Sequence, residues 1–357
     1  MGVEDAGLFS PTALEALINE SRAWSEKLAH AQKRLSEPLP PMPRLGRDVV
    51  FTRAPATLYR YHPTRALRRA STPILIVFAL VNRPDILDLT PDTSLIQKLL
   101  DSGREVYLLD WGYPSRATAH WGLEHYVGEL MTQAFEVFQG RPIDLLGVCQ
   151  GGTLALLHAA LYPEHIRKLI VMISTVDFHT DDNLLTQWAR HIDFNAFVER
   201  FPLVPQAFLN HSFEMLRPFK QNLDKLEYLI KHANDPEQLL RYRLIERWRT
   251  HGPDHAGKAF CEYMTWFYQN NALFNGAVVL KGQRLDFAAL KRPVLGIYAA
   301  FDHIVPLQGA RALSRLLPQC AVQEAVVSTG HIGVYVSQKA GSVAALIDGF
   351  SGPGAKE

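Results

Sequence analysis

A short apolar run, Leu145-Leu146, leads into Gly147-Val148-Cys149-Gln150-Gly151-Gly152, and a helical pattern from Thr153 to Tyr162 follows at once. Strand, tight glycine turn and helix in that order make a nucleophile elbow, here with cysteine where serine is usual. The turn is so tight that the nucleophile takes a strained backbone, and the flanking glycines remove side chains that would collide there. The thiol of Cys149 then stands at the carboxyl edge of a sheet, near a helix N-terminus whose dipole favours thiolate. The plainer alternative is a buried structural cysteine beside a glycine turn. A lone Gly-x-Cys-x-Gly would not exclude it; the strand-turn-helix context argues against it.

The surrounding pattern fits. From about residue 49, short apolar runs alternate with helical stretches, which predicts a mostly parallel sheet. The predicted strands are Ile74–Leu80, Glu105–Leu109, Ile143–Val148, Leu169–Ile173, Val294–Ala299 and Val322–Val327. Tyr126, Val127, Leu130, Met131, Ala134 and Phe138 mark one helical face. The alternation stops near residue 180 and resumes near 287, with aromatics such as Trp188, Phe208, Trp248 and Tyr263 between. The fold class expected is α/β, an α/β-hydrolase fold with a doubly wound sheet and an inserted helical cap. The divisions are residues 1–48 (helix and Pro-rich linker), 49–180 (first part of the core), 181–286 (cap) and 287–357 (second part of the core).

An elbow in this fold asks for an acid and then a histidine further along the chain. The run Val294–Ala299 ends at Phe301-Asp302-His303, which puts Asp302 just past a strand's carboxyl end. The run Val322–Val327 ends at Ser328-Thr329-Gly330-His331, a loop hinged at glycine. His303 competes with His331 for the role of base. It adjoins the acid in sequence, so its ring is poorly placed to be oriented by that carboxylate and reach the thiol too; His331 is assigned. Asp302 by itself would pass for a helix cap after Pro306. The oxyanion hole needs two backbone N–H groups. Gln150, after the nucleophile, supplies one, and Val81, in the loop after the first long strand, is the candidate for the other.

Composition narrows the class. The 357 residues carry 37 basic and 36 acidic side chains, a net charge of +1, which argues against a nucleic-acid binder relying on a basic field. Three cysteines (Cys149, Cys261, Cys320) suit a reducing cytoplasm better than a disulfide framework. Glu4 and Asp5 stand where a signal peptide would want positive charge. The longest apolar run, Ile74 to Val81, falls far short of the ~20 residues that span a bilayer. A soluble intracellular protein without a transmembrane segment is expected. Residues 10–36 read as one helix, capped by Ser10, with an apolar stripe of Leu14, Leu17, Trp24, Leu28, Ala31 and Leu35; Pro38 to Pro43 break it. The stripe either packs on the domain behind it or docks another subunit.

With these residues in place, the chain resembles the catalytic subunit of a polyhydroxyalkanoate synthase over roughly residues 50 to 345. The matching stretches include Ala79-Leu-Val-Asn-Arg-Pro84, Asp110-Trp-Gly-Tyr-Pro114, Gly147-Val-Cys-Gln-Gly-Gly152 and Leu216-Arg-Pro-Phe219. Asn271 to Gly276, Asp302-His-Ile-Val-Pro306 and Gly330-His-Ile-Gly-Val-Tyr-Val336 complete the set. The family's cysteine, aspartate and histidine fall on Cys149, Asp302 and His331. The length resembles the short class III and class IV subunits, class III more closely, and so implies a second synthase subunit; the family also implies a homodimer and a place at the polyester granule surface in the cytoplasm. Asp85 stands where the family usually has an aromatic residue, Thr175 where it has proline and Thr329 where it has glycine.

The resemblance implies a polymerase that takes 3-hydroxyacyl-coenzyme A, 3-hydroxybutyryl-coenzyme A foremost, through an acyl thioester on Cys149 to a growing polyester chain. No cofactor, metal or nucleic acid is expected; coenzyme A enters only as part of the substrate. Two other readings remain at this point: a cysteine-dependent hydrolase of the same fold (dienelactone-hydrolase-like or a polyester depolymerase), and a catalytically silent granule-binding partner.

Overall fold

The computed structural model describes residues 11–42, 44–67 and 72–352. Eight strands form one sheet: β1 (Arg47–Arg53), β2 (Ala56–Tyr61), β3 (Ile74–Val77), β4 (Val106–Asp110), β5 (Ile143–Val148), β6 (Ile166–Met172), β7 (Val294–Ala299) and β8 (Val322–Val327). Their order across the sheet is β1-β2-β4-β3-β5-β6-β7-β8. β1 and β2 pair antiparallel, as do β2 and β4, and every other neighbour is parallel. The parallel strands β3, β4, β5 and β7 are buried at every position, which is why they read as unbroken apolar runs. Strand β3 is shorter than its apolar run: at Phe78 the chain leaves the ladder, and Phe78 to Val81 form the loop at the carboxyl edge. The β1–β2 hairpin is not among the predicted strands. Its first strand is an edge with Val49 59% exposed and charged residues at Arg47, Asp48 and Arg53, so it lacks the apolar run that marks β3, β5 and β7.

Helix α1 (Pro11–Ser36) occupies the N-terminal segment. Ser10, Pro43 and the side chains of Leu14, Leu17, Trp24, Leu28 and Ala31 lie outside the described residues; Leu35 is 39% exposed. Helix α2 (Gln150–Leu161) follows β5 directly, and both faces of it are buried. Between β6 and β7 the chain is mainly helical and includes α3 (Gly257–Tyr263). The last helix is α4 (Ala340–Ser351). Contacts group the described part of residues 1–41 with Arg217–Arg247 as one unit, and Met42–Leu216 with Trp248–Glu357 as the other. In the first unit, Arg243 donates to the carbonyls of Arg34 (2.7 Å) and Glu37, holding the end of α1 to the helix Pro236–Thr250. Among the described residues no helix is long and apolar enough to cross a membrane.

The amino end of the sheet is tied by buried charge. Asp144 on β5 is fully buried and receives two Arg167 N–H bonds at 2.8 and 2.5 Å, with Arg104 3.5 Å away. Arg104 in turn donates to Asp348 on α4 at 2.9 Å. Removing one partner of such a set leaves an uncompensated buried charge, typically a loss of about 3–5 kcal/mol.

Two histidines are buried neutral. His158 on α2 bonds the Val127 carbonyl (3.0 Å) and His165 (3.1 Å), and burial lowers its pKa to about 3. Burial likewise lowers that of His255 to about 4. In both, the folded pKa lies below the ordinary value, so the unfolded chain takes up protons first as pH falls. Their contribution is therefore complete above pH ~6.5 and is lost on acidification, by roughly 2 kcal/mol per histidine at pH 5. We expect His158→Gln to flatten the fall of the urea-unfolding midpoint between pH 7 and pH 5. An unchanged slope would mean that His158 does not titrate on unfolding.

Candidate active site

Cys149 joins β5 to α2 with φ +56° and ψ −130°, a conformation rarely adopted by a residue with a side chain. It is held from both sides. Its N–H donates to Met172 O at 2.9 Å, and its carbonyl accepts from Ser174 Oγ at 2.6 Å and Gly152 N–H at 2.9 Å. The glycines are required by close approach. A Cβ on Gly147 would lie 2.4 Å from the Cα of Gly152, one on Gly151 would lie 2.2 Å from Val77 O, and one on Gly152 would lie 1.9 Å from Ser174 Oγ.

Asp302 follows the end of β7, and His331 follows β8. The Asp302 side chain is 1% exposed, and its Oδ2 meets His331 Nδ1 at 2.6 Å. Its Oδ1 accepts the N–H groups of Ile304 and Val305, both at 2.9 Å, so the carboxylate closes its own loop while facing the imidazole. Burial alone would lower the pKa of His331. The charges of Asp302 and Cys149, and hydrogen bonds to both, outweigh burial and raise it well above the ordinary value. Asp302 and His331 are thus hydrogen-bonded beyond the carboxyl ends of β7 and β8, and Cys149, at the carboxyl end of β5, is near enough to His331 to contribute to its raised pKa. An imidazole so placed can accept a proton and keep the tautomer that the carboxylate dictates.

The loop after β3 comes to the same place. Leu80 N–H donates to the Gln150 side-chain oxygen at 2.8 Å, and Val81 and Gln150 both line a cavity beside Cys149. Three further contacts hold this loop. Arg83 gives Asp110 two bonds at 2.7 and 2.5 Å, Trp248 Nε1 donates to Arg83 O at 2.6 Å, and Trp111 Nε1 donates to Phe78 O at 2.9 Å. Asp110 also accepts from Gly112 N–H at 2.9 Å, and a Cβ on Gly112 would lie 2.1 Å from Pro55 O. The stretch Asp110-Trp-Gly-Tyr-Pro114 is therefore a clamp on the loop that carries Val81.

The cavity encloses about 130 Å³, close to the ~150 Å³ that takes a benzene ring. Its walls are mostly apolar, among them Leu185, Trp188, Phe194, Phe208, Phe260 and Met264. Tyr268 also lines it and is not among the aromatics that the sequence pattern singles out. Of the three positions that depart from the resembled pattern, Asp85 sits 3.7 Å from Arg83, with burial raising its carboxyl pKa. Thr175 lines the cavity, and the Thr329 carbonyl accepts from Phe301 N–H. Among the described residues there is no cluster of three metal-ligating side chains.

Residues 73–337 match the family model of the alpha/beta hydrolase fold. The poly(3-hydroxyalkanoate) polymerase subunit PhaC of Allochromatium vinosum is 38% identical over 82% of this chain and 84% of its own length. That of Thiocystis violacea is 36% identical over the same shares. The chain belongs to the poly(3-hydroxyalkanoate) polymerase family. A thermophilic esterase from Thermogutta terrifontis shares the fold, with 17% identity, a TM-score of 0.51 and coverage of 86% of this chain and all of that one. Within the polymerase family, then, the fold is that of the α/β hydrolases.

The elbow makes a stability prediction. The Val77 carbonyl belongs to the central strand β3 and has no room to move, so Gly151→Ala is expected to cost on the order of 3 kcal/mol or to prevent folding. A methyl group added at Gly349 on α4 would meet nothing within 4 Å, and Gly349→Ala is expected to be neutral or slightly stabilising. Urea-unfolding midpoints compare the two; equal midpoints would show that the elbow tolerates a side chain.

Proposed function

We propose that this enzyme polymerises 3-hydroxyacyl-coenzyme A, with 3-hydroxybutyryl-coenzyme A the favoured substrate, by carrying the acyl group on Cys149. The observation that carries the reading is the strained Cys149 standing on the His331–Asp302 pair in a chain of this family. The Cys149 thiolate attacks the thioester carbonyl, and the N–H groups of Gln150 and Val81 receive the oxyanion. The carbon–sulfur bond to coenzyme A breaks, and coenzyme A leaves. The 3-hydroxyl of a second hydroxyacyl-coenzyme A then attacks the acyl-enzyme. His331 takes the hydroxyl proton, the new ester bond forms, and the bond to Cys149 breaks. The lengthened acyl thioester returns to Cys149 in the next cycle with loss of its own coenzyme A.

Cysteine suits this sequence. Exchange of thioester for thioester keeps the acyl group reactive, so the later step to an oxygen ester runs downhill. Water is the competing nucleophile, and the apolar walls above Cys149 act to exclude it. The small cavity supports a short acyl unit. No cofactor enters the scheme.

The partner is a second synthase subunit, and the chain also forms a homodimer. Exposed apolar residues support a protein contact in the unit of α1: Ile18 is 51% exposed, and Leu223, Leu226 and Ile230 form an outward stripe on the helix Pro218–Lys231. The site of action is the cytoplasmic face of the polyester that the enzyme produces.

One assay tests the whole reading. Incubation with 3-hydroxybutyryl-coenzyme A is expected to release coenzyme A and leave polymer; free 3-hydroxybutyrate as the sole product would make the enzyme a hydrolase. Cys149→Ala is expected to abolish release, while Cys261→Ala and Cys320→Ala retain most of it; near-normal turnover by Cys149→Ala would refute the assignment. Full activity of the chain alone, with no lag and no response to an added subunit, would remove the second subunit.

A further inference from the structure

Several polar groups around the cavity are already engaged within the protein. The Gln150 side-chain oxygen takes the Leu80 N–H, the Ser212 hydroxyl donates to Phe208 O at 2.9 Å, and the Tyr263 and Thr153 hydroxyls lie 3.0 Å apart. Tyr268 differs. Its ring packs edge-on against Phe178 with centroids 4.9 Å apart, and its carbonyl accepts from His179 Nε2 at 3.0 Å. Its hydroxyl, however, has no hydrogen-bond partner among the described residues.

The backbone explains why this phenol reaches the site. Helix α3 continues directly into a π-helical segment, Met264–Gln269. In an α-helix, residues 263 and 268 would point about 140° apart. The wider i→i+5 turn brings residues five apart onto one face. Tyr263 and Tyr268 accordingly stand side by side, ring centroids 6.2 Å apart, and both line the cavity. Burial first, and then the nearby charges of Cys149 and Asp302, raise the pKa of Tyr268. The phenol therefore stays protonated, with one donor and free acceptor lone pairs on a residue that lines the same cavity as Cys149.

We propose that the Tyr268 hydroxyl binds the 3-hydroxyl of the acyl unit, and that it is the residue by which this site tells a 3-hydroxyacyl thioester from a plain acyl thioester. The inference deepens the polymerase reading and rests on it. An acyl group bonded to Cys149 carries its 3-oxygen two carbons beyond the carbonyl, inside an otherwise apolar cavity. A hydroxyl stripped of water there is costly unless it finds a partner. A site built to bond a substrate hydroxyl also discriminates against the analogue that lacks it, because its own polar group is then left unpaired.

The test compares first-turnover release of coenzyme A from 3-hydroxybutyryl-coenzyme A and from butyryl-coenzyme A, in the parent enzyme and in Tyr268→Phe, with the second subunit present if turnover requires one. Phenylalanine keeps the ring on Phe178 and removes only the hydroxyl. Acylation by the 3-hydroxy substrate is expected to slow about tenfold, the worth of one neutral hydrogen bond, with butyryl transfer unchanged or faster. An equal loss for both substrates, or no loss for either, would overturn the proposal. A selective loss in Thr175→Val but not in Tyr268→Phe would overturn it too, since Thr175 is the neighbouring wall hydroxyl. A parent enzyme that takes no acyl group from 3-hydroxybutyryl-coenzyme A would contradict the polymerase reading itself, and that result is visible before any variant is compared.

Discussion

The site depends on one strained residue. Cys149 is held at φ +56° because the sheet leaves its backbone no alternative: its N–H is bonded to the end of β6, its carbonyl to Ser174, and Gly151 sits against the carbonyl of Val77 on β3. Strain of this kind costs about 1–3 kcal/mol and persists only where the surroundings over-determine it. Here the surroundings are the buried middle of a parallel sheet. The result is a thiol lifted clear of the strand end at the head of α2, with the N–H of Gln150 beside it.

Around that thiol the protein places its polar groups sparingly. The imidazole of His331 is fixed by Asp302, Asp302 is fixed by the backbone of its own loop, and the loop of Val81 is clamped through Gln150, Trp248 and the Arg83–Asp110 pair. The remaining wall is largely hydrocarbon. Such a site strengthens each electrostatic contact and excludes water, which suits the proposed ester formation over hydrolysis.

Much of this was legible in the sequence, for reasons that differ by residue. Cys149 announced itself through the glycines that its turn requires. Asp302 was legible because it follows the buried apolar run of β7, and His331 because it follows the valine-rich edge strand β8 on a glycine-hinged loop, so their place at the carboxyl edge followed from topology. The β1–β2 hairpin was hidden, since β1 is a half-exposed edge strand begun and ended by charged residues and β2 is interrupted by Thr57 and Arg60. Tyr268 was hidden for a different reason. At helical spacing it faces away from Tyr263, and only the π-turn at Met264–Gln269 brings the two together. The purpose of Asp110-Trp-Gly-Tyr-Pro114 was equally invisible, because its partners Arg83, Phe78 and Pro55 are distant in the chain.

The central claim is that Cys149 is acylated first and that His331, oriented by Asp302, then serves the attacking hydroxyl. A thiol ionises readily without help at the moment of attack, whereas an alcohol needs a base in the right tautomer. In serine triads the corresponding Asp→Asn change costs about 10⁴ in turnover. Rapid-quench analysis of Asp302→Asn with labelled 3-hydroxybutyryl-coenzyme A separates the two steps. The account predicts a burst of coenzyme A, label accumulating on Cys149, and elongation slowed by orders of magnitude. Acylation and elongation falling by the same factor would contradict it.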